Sequence, residues 1–185
     1  MTLSQFINEE KYGSHARSTN GMIERFMTMN WYSDIGKQNV EAEKKIDQFM
    51  RALHISEYEI KWISRNQLSE TIERISFEDN DLWGTLAEVP DQLKEKIISV
   101  GNEKLLIDVV DKVPEAIFHG VYKEAFKHFS EEKVVKFLVG HAMYISTVAC
   151  AAELAEEKNV FLPIVELLEL GHIPIGPERN TFYLL

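Results

Sequence analysis

The chain has one cysteine, nine scattered glycines and five prolines in 185 residues. A single cysteine forms no internal disulfide, so a core and not a covalent framework must hold the fold. Cys150 lies inside an apolar run, where a free thiol behaves as a small hydrophobe, and no cation near it in sequence favours a reactive thiolate. The glycines never gather into G-x-x-x-x-G-K-S/T or G-x-G-x-x-G, so no phosphate cradle is expected. There is no G-x-S-x-G elbow, no Gly/Ser linker and no internal repeat. The opening MTLSQFINEEKYG has acids and no apolar core run, unlike a secretory leader. Together these features lead to the expectation of a cytoplasmic chain with no cofactor.

Basic residues are also scarce. Lys and Arg number 20 against 30 Asp and Glu, for a formal net charge of -10. Residues 1–62 hold 8 Lys/Arg and 9 Asp/Glu, while residues 63–185 hold 12 and 21, so the acidity lies in the second part. Phosphate-backbone binding runs on clustered Lys and Arg, so no nucleic-acid partner is expected. A basic protein partner is electrostatically suitable. The most negative window runs from Ser69 to Asp91, with seven acids and one base, Arg74.

What is present is ordinary globular composition, with 45% hydrophobic and 27% charged residues. The segment Val134–Ala155, VVKFLVGHAMYISTVACAAELA, is uncharged between Lys136 and Glu153. Lys136, His141, Tyr144 and Thr147 interrupt it, and no basic cluster flanks it, so a buried central helix over about 131–157 fits better than a membrane span. Its small residues, from Gly140 to Ala152, suit close contact with neighbouring helices.

Periodicity and stop signals predict the other elements. Leu3–Tyr12 reads as a short helix, GSHARSTN (13–20) as a loop and Gly21–Tyr32 as a helix. Asn39 caps a helix over Val40–His54 with an apolar stripe of Val40, Ile46, Phe49, Met50 and Leu53. Tyr58–Ser64 alternates as a short strand, and Asn66–Ile75 is helical. Phe77–Trp83 reads as an acidic loop. Helices follow over Asp91–Val100, from Asn102 to Val113, and from Pro114 to Phe129, with the proline opening the last of these. Ser130 is expected to cap the central helix. A short helix over Phe161–Leu170 has Pro163 in its first turn and Gly171 at its end. A terminal β-hairpin is expected from His172–Ile175 and Thr181–Leu184, around a turn at Gly176–Asn180, with Pro174 confining its strand to an edge.

Each candidate site has a plainer competitor. Asp79-Asn80-Asp81 followed by Gly84 resembles the start of a calcium loop, but Trp83 takes a ligand position and Pro90 stands where the bidentate Glu belongs. His119 and His128 are nine residues apart, on opposite faces of one helix, and no H-E-x-x-H pair is present, so no metal site is expected. His141 suits a core histidine bonded to a carbonyl, or a ligand-binding group. Trp31-Tyr32 and Trp62 suit a core, whereas Trp83, following Glu78, Asp79 and Asp81, suits an exposed anchor.

The resulting expectation is one mainly α domain over 1–185, with residues 1–20 as a peripheral arm. About seven helices should pack as a compact bundle around the central one, with a small C-terminal β-hairpin. In size, acidity and lack of a catalytic motif the chain resembles small bacterial antitoxin and immunity proteins; that resemblance rests on profile and carries no residues over. The first functional expectation is a non-enzymatic, acidic protein-binding module that contacts a basic partner through Glu78, Asp79, Asp81 and Trp83. The second is a small-molecule pocket or enzyme site in the helical core with His119, His141 and Tyr144 as its polar groups. The third is a self-associating protein, a homodimer paired through the C-terminal hairpin.

Overall fold

A computed structural model describes residues 6–55, 58–75, 81–155 and 158–185, and for residues 81–87 the backbone alone. The chain is mainly α. In order, the elements are α1 (Glu9–Thr28), α2 (Val40–Ala52), β1 (Glu59–Trp62), α3 (Arg65–Arg74), α4 (Asp81–Ser99), α5 (Glu103–His128), α6 (Glu132–Ala152), α7 (Leu162–Glu169), β2 (Pro174–Glu178) and β3 (Thr181–Leu184). A 3-10 turn, Glu153–Ala155, follows α6.

The antiparallel pair α5 and α6 forms the centre. Val135, Leu138, Ala142, Ile145, Ala149 and Cys150 on α6 are buried, and burial pushes the Cys150 thiol far up from its ordinary range. Glu132–Ala155 is long and apolar enough to cross a membrane, but most of it is buried inside the protein, as the core helix of a folded domain would be. Helix α2 lies against α7, and α1 lies against both α5 and α6.

The three strands form one sheet. The strand order is β1-β3-β2, with β1 parallel and β2 antiparallel to β3. The C-terminal hairpin therefore does not stand alone: Glu59–Trp62 pairs with Thr181–Leu184 along its free side. Pro174 does sit on an edge strand, where its missing N–H breaks no ladder. The hairpin turn is tighter than expected. Gly176 and Pro177 belong to β2, and Arg179-Asn180 make a two-residue turn with Arg179 at φ 54.

Several expected boundaries moved. The segment 13–20 is helix and not loop. Gly13 (φ 62, ψ -134) kinks α1 after its first turn, a left-handed geometry that glycine takes without strain. Ala16, Thr19, Asn20, Ile23 and Phe26 then recur at helical spacing and are buried. Asn20 passed for a turn residue because it is polar, yet it is satisfied in the core. It accepts from Ile7 N–H and donates to the Ile7 carbonyl, each at 3.0 Å.

Asn39 caps α2 as expected, accepting from Glu41 N–H at 2.9 Å, but Val40 is 68% exposed and lies outside the buried stripe. The backbone from Asp81 to Trp83 is helical, because α4 begins ten residues before the expected start at Asp91 and carries Pro90 within it. Pro114 does not divide two helices, since α5 runs through it for 26 residues. Ser130 is not the cap of α6; Glu131 holds that position, without a side-chain cap bond. Asn102 holds the N-cap position of α5 but makes no side-chain cap bond; its side chain donates instead to the Leu154 carbonyl at 3.3 Å, tying the start of α5 to the 3-10 turn after α6.

Candidate interaction surface

Helix α5 carries two parallel ladders, both with a step of four residues. Leu105, Val109, Val113, Ile117, Val121 and Ala125 are buried. One residue further on, Val110, Pro114, Phe118, Tyr122 and Phe126 form a second apolar row that faces outward. Phe118, Tyr122 and Phe126 are 36%, 42% and 44% exposed. Side chains four apart lie on one face of a helix, so these rings meet. Phe118 stacks on Tyr122 at 5.4 Å between centroids, and Tyr122 tilts against Phe126 at 4.7 Å. From Val110 to Phe126 the row spans about 24 Å of helix.

The buried ladder explains how α5 survives Pro114. A proline inside a helix removes one backbone bond, to the carbonyl four residues earlier. Here that carbonyl belongs to Val110, a half-exposed residue, so water can serve it. Val113 and Ile117, on either side of the proline, remain anchored in the core.

A charged row runs beside the aromatic one, again in steps of four. Asp111 and Glu115 come first, His119 stands in the middle, and Lys123 and Lys127 follow, all exposed. Lys127 also pairs with Glu124 at 2.6 Å. Across the helix pair, Lys136 of α6 lies within electrostatic reach of Tyr122 and pairs with Glu132 at 2.7 Å, which raises the lysine pKa. The antiparallel run of α6 then carries Gly140 and Tyr144 towards the N-terminal part of the aromatic row. A Cβ at Gly140 would meet nothing within 4 Å, and Tyr144 is 39% exposed.

The residues singled out in the sequence fare differently. Glu78 and Asp79 lie outside the described residues, as do the side chains of Asp81 and Trp83. Two other acids of that window are already engaged: Glu70 with Arg74 at 2.9 Å and Glu73 with Lys133 at 2.6 Å. Trp31 and Tyr32 are core residues; Trp31 donates to the Phe26 carbonyl at 3.0 Å. Trp62 is half-buried and donates to Glu43 at 2.6 Å.

The three polar groups of the expected pocket face different neighbours. His119 is exposed and packs on Phe118 at 5.4 Å. His141 stacks on Phe137 at 5.6 Å and donates to the backbone carbonyl of Pro174 on β2. Burial pushes its pKa down to about 4, and the Pro174 bond opposes that only in part. Tyr144 is on the same helix, and its hydroxyl pKa is raised by burial. Among the described residues no group of three or more His, Cys, Asp or Glu could hold a metal ion.

Sequence reasoning missed two features. The first is the aromatic row Phe118, Tyr122 and Phe126, whose four-residue spacing lies within one expected helix but does not show which face of that helix the neighbouring helices leave exposed. The second is His172, only 1% exposed, whose ring nitrogens have no hydrogen-bond partner among the described residues. It meets Trp62 edge-on at 5.0 Å, and burial lowers its pKa against the opposing pull of Asp34. No signal in the sequence marks His172, because its burial depends on the approach of the distant segments around Asp34 and Trp62.

No protein-family model matches the chain, and no curated protein or solved structure is similar to it within the threshold for a match.

Proposed function

We propose that this protein is a cytoplasmic, non-enzymatic protein-binding module whose contact surface is the outward face of α5. The observation that carries this reading is the row Phe118–Tyr122–Phe126, three aromatic rings packed each on the next and left more than one-third exposed beside a charged row. Exposed apolar side chains scattered singly are normal, whereas a contiguous aromatic patch rimmed by charges is the form interfaces take. The apolar side chains of this row, with Ile107 and Val110, expose on the order of 500 Å².

The acidic window was the first expected contact, and a basic partner drawn to Glu78, Asp79, Asp81 and Trp83 remains the electrostatic version of the same proposal. The α5 face is favoured over it because Glu70 and Glu73 already have basic neighbours within the chain.

The test is chemical cross-linking of the full-length protein in lysate of its source cells, compared with the triple variant Phe118→Ser/Tyr122→Ser/Phe126→Ser. All three positions are exposed, so the variant should keep the wild-type melting temperature to within a few degrees. Loss of the cross-linked species, whether they contain another protein or further copies of this chain, supports the reading. An unchanged cross-linking pattern with an intact fold rejects this face as the binding surface.

A further inference from the structure

We infer that the outer edge of β1 is a self-association surface, on which a second copy of this chain adds its own β1, antiparallel about a two-fold axis beside Ile60. The inference goes beyond the α5 reading and uses none of its residues. It starts from the two edges of the sheet. On β2, Pro174 and Pro177 have no N–H to give, the register shifts between Pro174 and Gly176, and the Pro174 carbonyl already accepts from His141. That edge is closed to a further strand. On β1, the Glu59 N–H donates to the Asn180 carbonyl and the Ile63 N–H to the Leu184 carbonyl, each at 2.9 Å. Backbone groups alternate sides along a strand, so residues 59, 61 and 63 turn towards β3, while the N–H and carbonyl of Ile60 and Trp62 turn outward. Among the described residues no strand lies beyond them in the sheet.

The side chains name the occupant. Ile60 and Trp62 pack on the core side of β1, whereas Glu59 and Lys61 are exposed on the other face, with no ion-pair partner among the described residues. Two antiparallel copies centred on Ile60 exchange two hydrogen bonds between their Ile60 backbones. The same register sets Glu59 against the second copy's Lys61, and Lys61 against its Glu59. These are non-hydrogen-bonded sites, where facing Cα atoms stand about 4.5 Å apart. Sliding one strand by two residues sets Lys61 against Lys61 or Glu59 against Glu59, and like charges directly opposite are destabilising. The charges therefore select one symmetric register. A lysine on an edge strand usually discourages addition, but here it meets a carboxylate. The product is one six-stranded sheet with β1 against β1 at its centre and β2 at both ends. Both of its outer edges are closed by prolines, so growth stops at the dimer.

The experiment is sedimentation equilibrium of the full-length protein at about 0.15 M salt, where the net charge of -10 on each copy is screened beyond about 8 Å. Wild type should be a reversible dimer with a dissociation constant on the order of 10 µM, since the strand pair is short. Lys61→Glu and Glu59→Lys each set like charges opposite one another at two places, and each should weaken the dimer about tenfold. Both positions are exposed, so each variant should keep the wild-type melting temperature to within a few degrees. Mixed in equal amounts, the two variants should associate with each other to within about threefold of wild type, because every facing pair is again of opposite sign. The double variant Glu59→Lys/Lys61→Glu should do the same alone. A wild type that stays monomeric to about 500 µM overturns the inference. So does a dimer that neither single variant weakens, or a mixture no tighter than its components. The α5 reading is judged separately by its aromatic variant, which leaves β1 untouched.

Discussion

The Gly171 carbonyl accepts a hydrogen bond from the Asp34 N–H at 3.2 Å, and this contact docks the turn after α1 onto the end of α7. Gly171 is at φ +80, and a Cβ there would stand 2.8 Å from the Asp34 backbone nitrogen and against the Ser33 hydroxyl. Both the conformation and the close approach therefore require glycine. Gly171→Ala should cost about 2–4 kcal/mol, from left-handed strain plus displacement of a neighbouring backbone segment. Urea denaturation measures this directly, and a loss below 1 kcal/mol, about the strain term alone, would mean that the turn moves aside freely.

Asn159 should be as sensitive, for a different reason. It is 5% exposed and donates to the Ala149 carbonyl at 2.9 Å and to Glu153 at 2.6 Å. Its side-chain oxygen accepts from the Phe161 N–H at 3.0 Å, at the start of α7. Asn159→Ala leaves buried groups of α6 and α7 without partners and should lower stability by about 2–4 kcal/mol. Asn159→Asp keeps the acceptor but removes the donor and adds charge beside Glu153, so it should be at least as damaging. A mild effect of Asn159→Asp alongside a severe one of Asn159→Ala would contradict the donor's role.

His172 has the opposite expectation. Its buried imidazole gains no hydrogen bond from the described residues, while its edge contact with Trp62 is one that a phenyl ring also makes. His172→Phe should be neutral or stabilising by up to about 1 kcal/mol, because replacing an unsatisfied polar group by an apolar one of similar shape removes a desolvation penalty. Thermal melts of the two proteins at pH 7.5 decide the matter. A drop of more than about 2 kcal/mol would show that the imidazole is hydrogen-bonded in solution.

The pH dependence of stability should carry the mark of His141. In the unfolded chain its imidazole titrates near 6.5, and in the folded chain burial lowers this to about 4. Between those values the unfolded state binds more protons, so stability is full above pH 6.5 and falls as the pH drops towards 4. The partly buried ring makes this worth about 1–3 kcal/mol. His141→Gln should flatten the stability profile between pH 7 and 4.5 relative to wild type. Parallel profiles for the two proteins would mean that His141 keeps its ordinary pKa in the fold.

Much of the helical architecture was legible locally. Asn39 as a cap, Pro163 in a first turn, Gly171 as a stop and the apolar run from Val134 to Ala155 all act over one or two helical turns, and each holds its expected place. The misreadings at Gly13–Asn20 and at Pro114 share one cause. Gly13–Asn20 has loop-forming composition, and Pro114 is a helix breaker, yet both segments are helical because one face of each is buried against other helices. Local propensity is worth about 1 kcal/mol per residue for glycine and about 3 for an interior proline, and several buried apolar side chains outweigh it.

What the sequence by itself determined is therefore the class of object: a mainly α chain with a central apolar helix, an acidic surface and terminal strands. Each of these follows from composition or from periodicity over a few turns. The tertiary structure decided which apolar residues were left over. Val121 and Tyr122 are neighbours on one helix, and only the packing of other helices against α5 makes the first a core residue and the second part of an exposed aromatic row. It also decided that β1 joins the C-terminal hairpin and that His172 is sealed beside Trp62. The last two outcomes depend on contacts between segments more than 100 residues apart, whose encounter no local pattern of side chains encodes.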